Sequence, residues 1–284
     1  MIEKKSESFI TEKPKSTLLK KYISYYYFHN KAEGDKVQFM FYPHLKSAIT
    51  VYKNSNTESA NFKSQTYPDS SIDYKFLYQG IQLQACSSTI TPPFSKIGIA
   101  FQPLGLNYFV NEPLANLLNI DETIEFNYFK PSIVELMDQV YACQSIEKKI
   151  KLLDAYFKSK LSNFKEERLE KAIQLIIKSD KKFNVEALAN ELSINRKTLL
   201  RLFRKHLNCS TKDYLHICQF RKAVDSYKLS GKKKYLGELA HMHDYYDQSD
   251  FIKHFKKITG FNPKRFFKDI KHMGNEDIFW SFVN

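Results

Sequence analysis

Cysteine is scarce in this sequence, and the four residues present (Cys86, Cys143, Cys209 and Cys218) are scattered without a Cys-x-x-Cys pair. Scattered thiols fit a reduced cytoplasmic compartment, in which cysteine serves as a small core residue. The sequence also lacks a P-loop and the Gly-x-Gly-x-x-Gly, His-Glu-x-x-His and Gly-x-Ser-x-Gly motifs. Each of these marks a common class of catalytic or nucleotide site. We therefore expect neither an enzyme nor a bound cofactor.

Long apolar runs are missing as well. No segment reaches the roughly 18 consecutive apolar residues that suggest a membrane-spanning helix. The first 21 residues also lack the continuous apolar stretch of a secretory signal. These two absences predict a cytoplasmic protein without a membrane partner.

Positive charge is abundant but unevenly distributed. The formal net charge is +13, and residues 161–284 hold 25 Lys and Arg against 15 Asp and Glu. Residues 1–160 are nearly neutral by comparison, with 19 basic and 16 acidic residues. A basic half beside a near-neutral half indicates a polyanion partner, and a solvated lysine-rich surface is the alternative.

Residues 1–160 predict an α+β domain with a small antiparallel sheet or barrel and covering helices. After a polar, mobile start at 1–15, β-branched and aromatic runs predict strands at 37–42, 48–52, 81–86 and 96–101. Apolar spacing then predicts helices at 112–119, 132–143 and 145–161. These helices either cover the sheet or mediate formation of a homodimer, so this domain is a sensor or a dimerisation domain.

From residue 165 onward the pattern predicts only helices. Residues 165–270 are expected to form an all-α domain, followed by a tail at 271–284. Short polar side chains stand at the expected helix starts, where they can accept hydrogen bonds from free backbone N–H groups. These N-cap residues are Asn184, Asn195, Ser210, Asp247 and Asn262.

This helical part contains an internal repeat with an offset of 51 to 52 residues. The matching positions are Leu188-Ala189 with Leu239-Ala240, Asn195 with Asp247, Leu199 with Phe251, Arg201 with Lys253, Phe203 with Phe255, Asn208 with Gly260, Ser210 with Asn262, and Tyr214 with Phe266. Each unit reads as a short helix, a tight turn and a capped basic helix. This order is the helix-turn-helix arrangement, whose second helix enters the major groove of DNA.

Each basic helix has an apolar face for its own core and a second face that predicts contact with double-stranded DNA. In the first unit the candidate DNA-binding residues are Arg196, Lys197, Leu200, Arg201 and Arg204. In the second unit they are Gln248, Ser249, Ile252, Lys253 and Lys256. Polar side chains of these types bond base edges or phosphates, and Leu or Ile can touch a thymine methyl group.

Residues 168–270 resemble the DNA-binding domain of AraC/XylS-type bacterial transcription regulators. The resemblance rests on "LANELSINRKTLLRLFRKHLNCSTKDYL", "FRKAVDSYKLS" and "LAHMHDYYDQSDFIKHFKKITGFNPKRFF". More weakly, "KIGIAFQPLGLNYFVNEPLANLLN" (96–119) resembles the sensor-type domains of some members. The resemblance implies a sequence-specific regulator with two helix-turn-helix units, controlled by a small-molecule effector or a partner at the front domain.

Five positions depart from the usual pattern of that family. Asp244-Tyr245 stands where Gly-Phe is usual, and Ser193 stands where Gly is usual. In the second basic helix, Asp250 replaces an aromatic residue and Lys253 replaces an arginine.

Three alternatives remain at this point. A protein that binds DNA without sequence preference would share the same charge. A catalytic site in the front domain would draw on Tyr42, His44, Tyr52 and Tyr78. A metal site would use His241, His243, Asp244 and Asp247, but two histidines spaced as His-x-His lie on different sides of a helix, so we expect no metal.

Overall fold

The computed structural model describes residues 7–118, 124–179, 183–230, 235–243 and 245–282. Its strands are β1 (Glu7–Glu12), β2 (Ile23–Lys31), β3 (Val37–Phe41), β4 (Ser47–Lys53), β5 (Ser55–Ala60), β6 (Lys63–Pro68), β7 (Tyr74–Gln79), β8 (Cys86–Ile90), β9 (Phe94–Phe101), β10 (Ile124–Glu125), β11 (Lys271–Met273) and β12 (Ile278–Phe282). Its α-helices are α1 (Leu114–Leu117), α2 (Ser132–Ala142), α3 (Ile146–Ser159), α4 (Glu167–Lys178), α5 (Val185–Glu191), α6 (Arg196–Leu207), α7 (Thr211–Leu229), α8 (Leu236–Met242), α9 (Gln248–Thr259) and α10 (Pro263–Asp269).

The strands form two six-stranded sheets. The first sheet has the order β1-β2-β9-β4-β7-β10, and its strands pair antiparallel. The second sheet has the order β11-β12-β3-β8-β6-β5 and is antiparallel except for the parallel pair β6–β8. The predicted α+β front domain with covering helices is confirmed, but it contains two sheets where the sequence predicted one small sheet.

Alternation along β9 explains how the first sheet lies between two layers. Ile97, Ile99 and Phe101 point to one face, where they pack in a core with α2 and α3. Lys96 and Ala100 point to the opposite face, where they line a cavity shared with residues of the second sheet. Helices therefore cover one face of the first sheet, and the second sheet faces the other.

Two parts of the front domain differ from the sequence prediction. Residues 7–12, which fall in the stretch expected to be mobile, form β1 and pair with β2. Residues 81–85 are not a strand; instead the backbone N–H of Ala85 donates to the carbonyl of Ile258 in α9, at 2.7 Å. Ile81 and Ala85 pack against two different clusters of the helical part and Leu83 is exposed, so the alternation of these three residues does not mark one buried face.

The expectation of helices alone after residue 165 is wrong for the last residues. α4 to α10 form the helical part as predicted, but β11 and β12 follow as a hairpin. β12 pairs antiparallel with β3, with Trp280 opposite Phe41. The residues 271–282, which we call the C-terminal hairpin, therefore complete a sheet of the front domain.

Aromatic packing joins the helical part to the front domain. Tyr42, just after β3, lies in one buried cluster with Phe220 of α7, Phe255 of α9 and Phe279 of the hairpin. Near the first repeat unit, the side-chain amide of Asn107 donates to the carbonyl of His206 at 3.0 Å. Among the helices in the part of the chain that the structure describes, none is long and apolar enough to cross a membrane.

Candidate nucleic-acid interface and interdomain cavity

The first repeat unit consists of α5, a tight turn and α6. The side chain of Asn195 accepts from the backbone N–H of Thr198 at 2.8 Å and thereby caps α6. In the turn, the N–H of Ile194 donates to the carbonyl of Ala189 at 3.0 Å. Ser193 has φ of 52°, so it occupies the left-handed conformation that explains why glycine is usual at this position.

The second unit, α8 to α9, repeats these contacts. The N–H of Tyr245 donates to the carbonyl of Ala240 at 3.0 Å, and Asp247 caps α9 by accepting from the N–H of Asp250 at 2.8 Å. Both basic helices end in a left-handed residue, with φ of 52° at Asn208 and 77° at Gly260. The structure therefore confirms the predicted repeat, including its five N-caps.

Burial separates the two faces of each basic helix as the sequence predicted. Leu199, Phe203, Phe251 and Phe255 are fully buried. The charged and polar candidates are all exposed, and they are Arg196, Lys197, Arg201, Arg204, Gln248, Ser249, Lys253 and Lys256. The two apolar candidates, Leu200 and Ile252, are half-buried beside them. Both helices thus present the predicted residues to solvent together.

The balance of charge on the exposed face differs between α6 and α9. Within the described residues, no carboxylate lies within salt-bridge distance of Arg196, Lys197, Arg201 or Arg204. In α9, Asp250 lies in the first turn and accepts from the N–H of Tyr246 at 3.4 Å. This carboxylate complements the N-terminal end of the helix dipole and also places one negative charge on the basic face.

Helix α7 connects the two units. Its 19 residues give a length of about 28 Å at about 1.5 Å per residue. Tyr214, Phe220 and Val224 are buried in the cores of the helical part, so α7 is anchored along its length. A rigid connector of this length suits two basic helices placed about one DNA turn apart, which is about 34 Å.

A cavity of about 150 Å³ lies between the two sheets and reaches α7. Of the four polar front-domain candidates, Tyr42, His44 and Tyr52 line it. Tyr78 does not, since it lies in the core on the helix-covered face of the first sheet. Sequence reasoning missed the charged residues that line the cavity, which are Lys46, Lys96, Arg221 and Asp277.

One end of the cavity holds a compensated polar network. Lys46 Nζ lies 2.7 Å from Asp277 Oδ1, and His44 Nε2 lies 2.8 Å from Asp277 Oδ2. The backbone N–H of Lys46 donates to His44 Nδ1, so His44 is neutral and donates from Nε2; burial lowers its pKa to about 4. Burial alone would raise the pKa of Asp277, but the bonds from His44 and Lys46 hold it well below its usual range. Arg221 donates to the carbonyl of Asp277 at 2.9 Å.

The other end of the cavity holds a lysine among aromatic rings. Lys96 is 4% exposed, and its Nζ lies 5.3 Å from the ring centroid of Phe39 and 5.5 Å from those of Tyr52 and Trp280. We call these three rings the Lys96 cage. Burial lowers the pKa of Lys96 to about 7. The sequence signal was a charged residue within the otherwise apolar alternation of β9.

The metal-site alternative named His241, His243, Asp244 and Asp247. Asp244 lies outside the described residues. Among the residues that the structure describes, no group of three or more His, Cys, Asp or Glu side chains is arranged to bind a metal ion.

A segment of the helical part matches a known family. Residues 188–269, from the first short helix to the end of α10, match the family described as "Helix-turn-helix domain". The match includes both basic helices, α6 and α9. The Msm operon regulatory protein of Streptococcus mutans serotype c is 33% identical over 88 residues, which are 31% of this chain and 31% of that protein.

Solved structures of ToxT from Vibrio cholerae are similar over most of the chain. One of them aligns with a TM-score of 0.45 and 12% identity, covering 93% of this chain and 98% of that chain. A second, of ToxT bound to an unsaturated fatty acid, aligns with a TM-score of 0.46 and 14% identity, covering 96% of this chain and 98% of that chain.

Proposed function

We propose that this protein is a sequence-specific, DNA-binding transcription regulator whose two helix-turn-helix units contact successive segments of one major groove. The observation that carries the proposal is the duplicated basic helix with its exposed, uncompensated cations on α6. Its relative in Streptococcus mutans, named as an operon regulatory protein, supports a regulatory role for the shared domain.

The two units have different chemistry and therefore different roles. Arg196 and Arg201 of α6 can make planar bidentate bonds to guanine, a geometry that lysine does not reproduce. Arg204 lies further along the helix and is assigned to phosphate. The second unit offers Gln248, Ser249 and Lys253, with Lys256 assigned to phosphate. We infer that the first unit dominates sequence choice, while the second adds affinity and fixes the register.

The test starts with selection of bound fragments from random DNA by the full chain. On the selected site, Arg201→Ala should weaken DNA binding by about 1–3 kcal/mol, and it should reduce the preference for particular bases at one or two base pairs. Lys256→Ala should weaken all sequences alike and reduce the salt slope by about 1. Lys63→Ala removes an exposed lysine of β6 in the front domain, so it should leave DNA binding unchanged.

Two outcomes would contradict the proposal. If the full chain selects no common sequence and all duplexes compete equally, the protein binds DNA without sequence preference and is architectural. If Arg201→Ala loses the same free energy on every single-base variant of the site, Arg201 contacts phosphate rather than a base.

Control by an effector is the second part of the proposal. The interdomain cavity is lined by both sheets, by Arg221 of α7 and by the C-terminal hairpin. A ligand that fills it would contact the front domain and the helical part at once, and it would shift their equilibrium by its difference in affinity for the two arrangements.

A further inference from the structure

We propose that the cavity binds a small monoanion with an apolar body about the size of one six-membered ring, and that Lys96 is its counter-ion. This inference rests on the proposed effector control and names the chemical class of the effector.

The first argument is that Lys96 has no counter-ion of its own. Within the part of the chain that the structure describes, its Nζ makes no hydrogen bond or ion pair, although the residue is 4% exposed. Burying an unpaired ammonium group is costly, and buried lysines are normally paired. The aromatic faces of the Lys96 cage attract a cation but carry no charge of their own.

The surrounding titratable groups do not supply the missing negative charge. Glu7 is the acid that acts on Lys96, but its Oε1 lies 2.8 Å from His29 Nε2 and its Oε2 lies 3.6 Å from Lys31 Nζ. His29, opposite Lys96 on β2, is neutral because burial lowers its pKa to about 4. The remaining neighbour, Tyr52 of β4, is a phenol whose pKa burial raises above its usual value.

The opposite end of the cavity is already compensated, which locates the anion near Lys96. There the two cations Lys46 and Arg221 face two carboxylates: Asp277 pairs with Lys46, and Asp225 and Asp277 both act electrostatically on Arg221, which donates to the backbone carbonyl of Asp277. A ligand carboxylate at that end would meet the carboxylate of Asp277 and be repelled. At the Lys96 end it would meet an ammonium group without an acid beside it.

Volume and lining limit the rest of the ligand. An apolar cavity of about 150 Å³ accommodates one benzene ring, and the cavity here has that volume. Its walls near Lys96 are aromatic, with Phe39 and Trp280 stacked at 4.0 Å between ring centroids. One ring or a short aliphatic chain fits such a space, whereas a long-chain fatty acid requires the cavity to open.

The same ligand would contact the helical part through the C-terminal hairpin. Trp280 belongs to the cage, and its neighbour Phe279 lies beneath Lys228 of α7, with 4.1 Å between Nζ and the ring centroid. Occupancy of the cavity is therefore expected to change the affinity for DNA.

The experiment uses the full chain and its single tryptophan, Trp280, as a fluorescent reporter inside the site. The probes are benzoate and hexanoate, their neutral amides, and oleate as a long-chain acid. We expect saturable changes of Trp280 emission with the two short acids, with affinities at least about tenfold higher than for the amides and for oleate. Lys96→Met should abolish the preference for the acid over the amide.

A matched control and the contradicting outcomes complete the design. Lys53→Met removes a lysine of the same sheet that also lies over an aromatic ring, Tyr141 at 5.2 Å, but does not line the cavity. This variant should bind benzoate like the natural chain. The proposal is overturned if folded natural protein binds acids and amides equally or binds no short acid, or if Lys96→Met retains the preference. DNA binding without ligand is measured separately. A failure to bind the short acids therefore leaves the DNA-binding proposal intact, and a failure to bind DNA leaves the ligand proposal intact.

Discussion

At the scale of single residues, Lys96 places a positive charge in the cavity and thereby lowers the folding stability of the protein. Its pKa is lowered from 10.5 to about 7 by burial, so the folded state binds its proton less tightly than the unfolded state. Below pH of about 7 both states are protonated, and the full cost of the buried charge is present. Between the two pKa values the folded state has lost the proton that the unfolded state retains, so stability rises with pH.

Lys96→Met should therefore stabilise the protein, because it replaces a buried cation by an apolar side chain of similar volume. The gain should be on the order of a few kcal/mol below pH of about 7 and should shrink towards pH of about 10. Urea unfolding of both proteins at about pH 6 and about pH 9 measures it. An equal gain at both pH values would show that the pKa of Lys96 is the same in the folded and the unfolded state.

Gly260 and Gly98 are positions that require glycine for different physical reasons. Gly260, the left-handed residue after α9, has φ of 77° and open space where a Cβ would stand. At Gly98, a Cβ would lie 1.8 Å from the ring of Tyr27. Gly260→Ala should cost about 1 kcal/mol of backbone strain. Gly98→Ala forces the Tyr27 ring to move and should cost more, about 1–3 kcal/mol or above. The denaturant midpoints of the two variants measure their losses of stability, and equal losses would contradict the prediction.

At the scale of elements, Asp250 affects both the stability of α9 and the charge of its exposed face. Asp250→Asn removes a negative charge from the basic face, so we expect tighter DNA binding with a steeper salt dependence. It also weakens the favourable interaction with the helix N-terminus, by about 0.3–1 kcal/mol. The affinity for DNA at two salt concentrations and the melting temperature of the variant measure the two effects.

Glu58→Gln, at an exposed position of β5, is the matched control, because it changes the net charge equally and should leave DNA binding unaltered. Weaker binding by Asp250→Asn would indicate that this carboxylate accepts a bond from a cytosine amine.

The elements that the sequence predicted correctly are those set by local interactions. The helices of 165–270 follow from apolar spacing and N-caps such as Asn195, whose partner Thr198 lies three residues away. The exposed faces of α6 and α9 that carry the candidate DNA-binding residues follow from the same periodicity. In contrast, β12 pairs with β3, and Tyr42 bonds Ser281 across 239 residues. Such pairing depends on the tertiary fold, so the hairpin, the second sheet and the cavity could not be inferred from sequence patterns.

At the scale of the whole molecule, the front domain and the helical part share buried contacts. Tyr42 packs against Phe266 of α10 with 4.8 Å between ring centroids, and Phe164 packs against His206 of α6 at 5.2 Å. The division into 1–160, 165–270 and 271–284 remains a prediction. The contacts of the C-terminal hairpin indicate that the last segment connects the other two, rather than forming a free tail.

The C-terminal hairpin gives the last prediction, which concerns cooperativity. Phe279 is buried in the aromatic cluster of the second unit, and Trp280 is buried between the two sheets. Each change to Ala should destabilise the protein by about 3–5 kcal/mol, since each empties a buried aromatic position. Phe282→Ala, at a half-buried position of the same strand, is the matched control and should cost less.

Because Phe279 and Trp280 lie in different cores, their strand couples the unfolding of the two parts. We expect the full chain to unfold in one calorimetric transition, and a chain ending at Ile270 to unfold in two. In the shortened chain each part loses a buried aromatic residue, Phe279 from the aromatic cluster and Trp280 from the core between the sheets. The helical part should melt at the lower temperature, because the front domain keeps the complete core between the first sheet and α2 and α3. A single transition at the original temperature after this truncation would show that the contacts of Tyr42, Asn107 and Phe164 alone join the two parts.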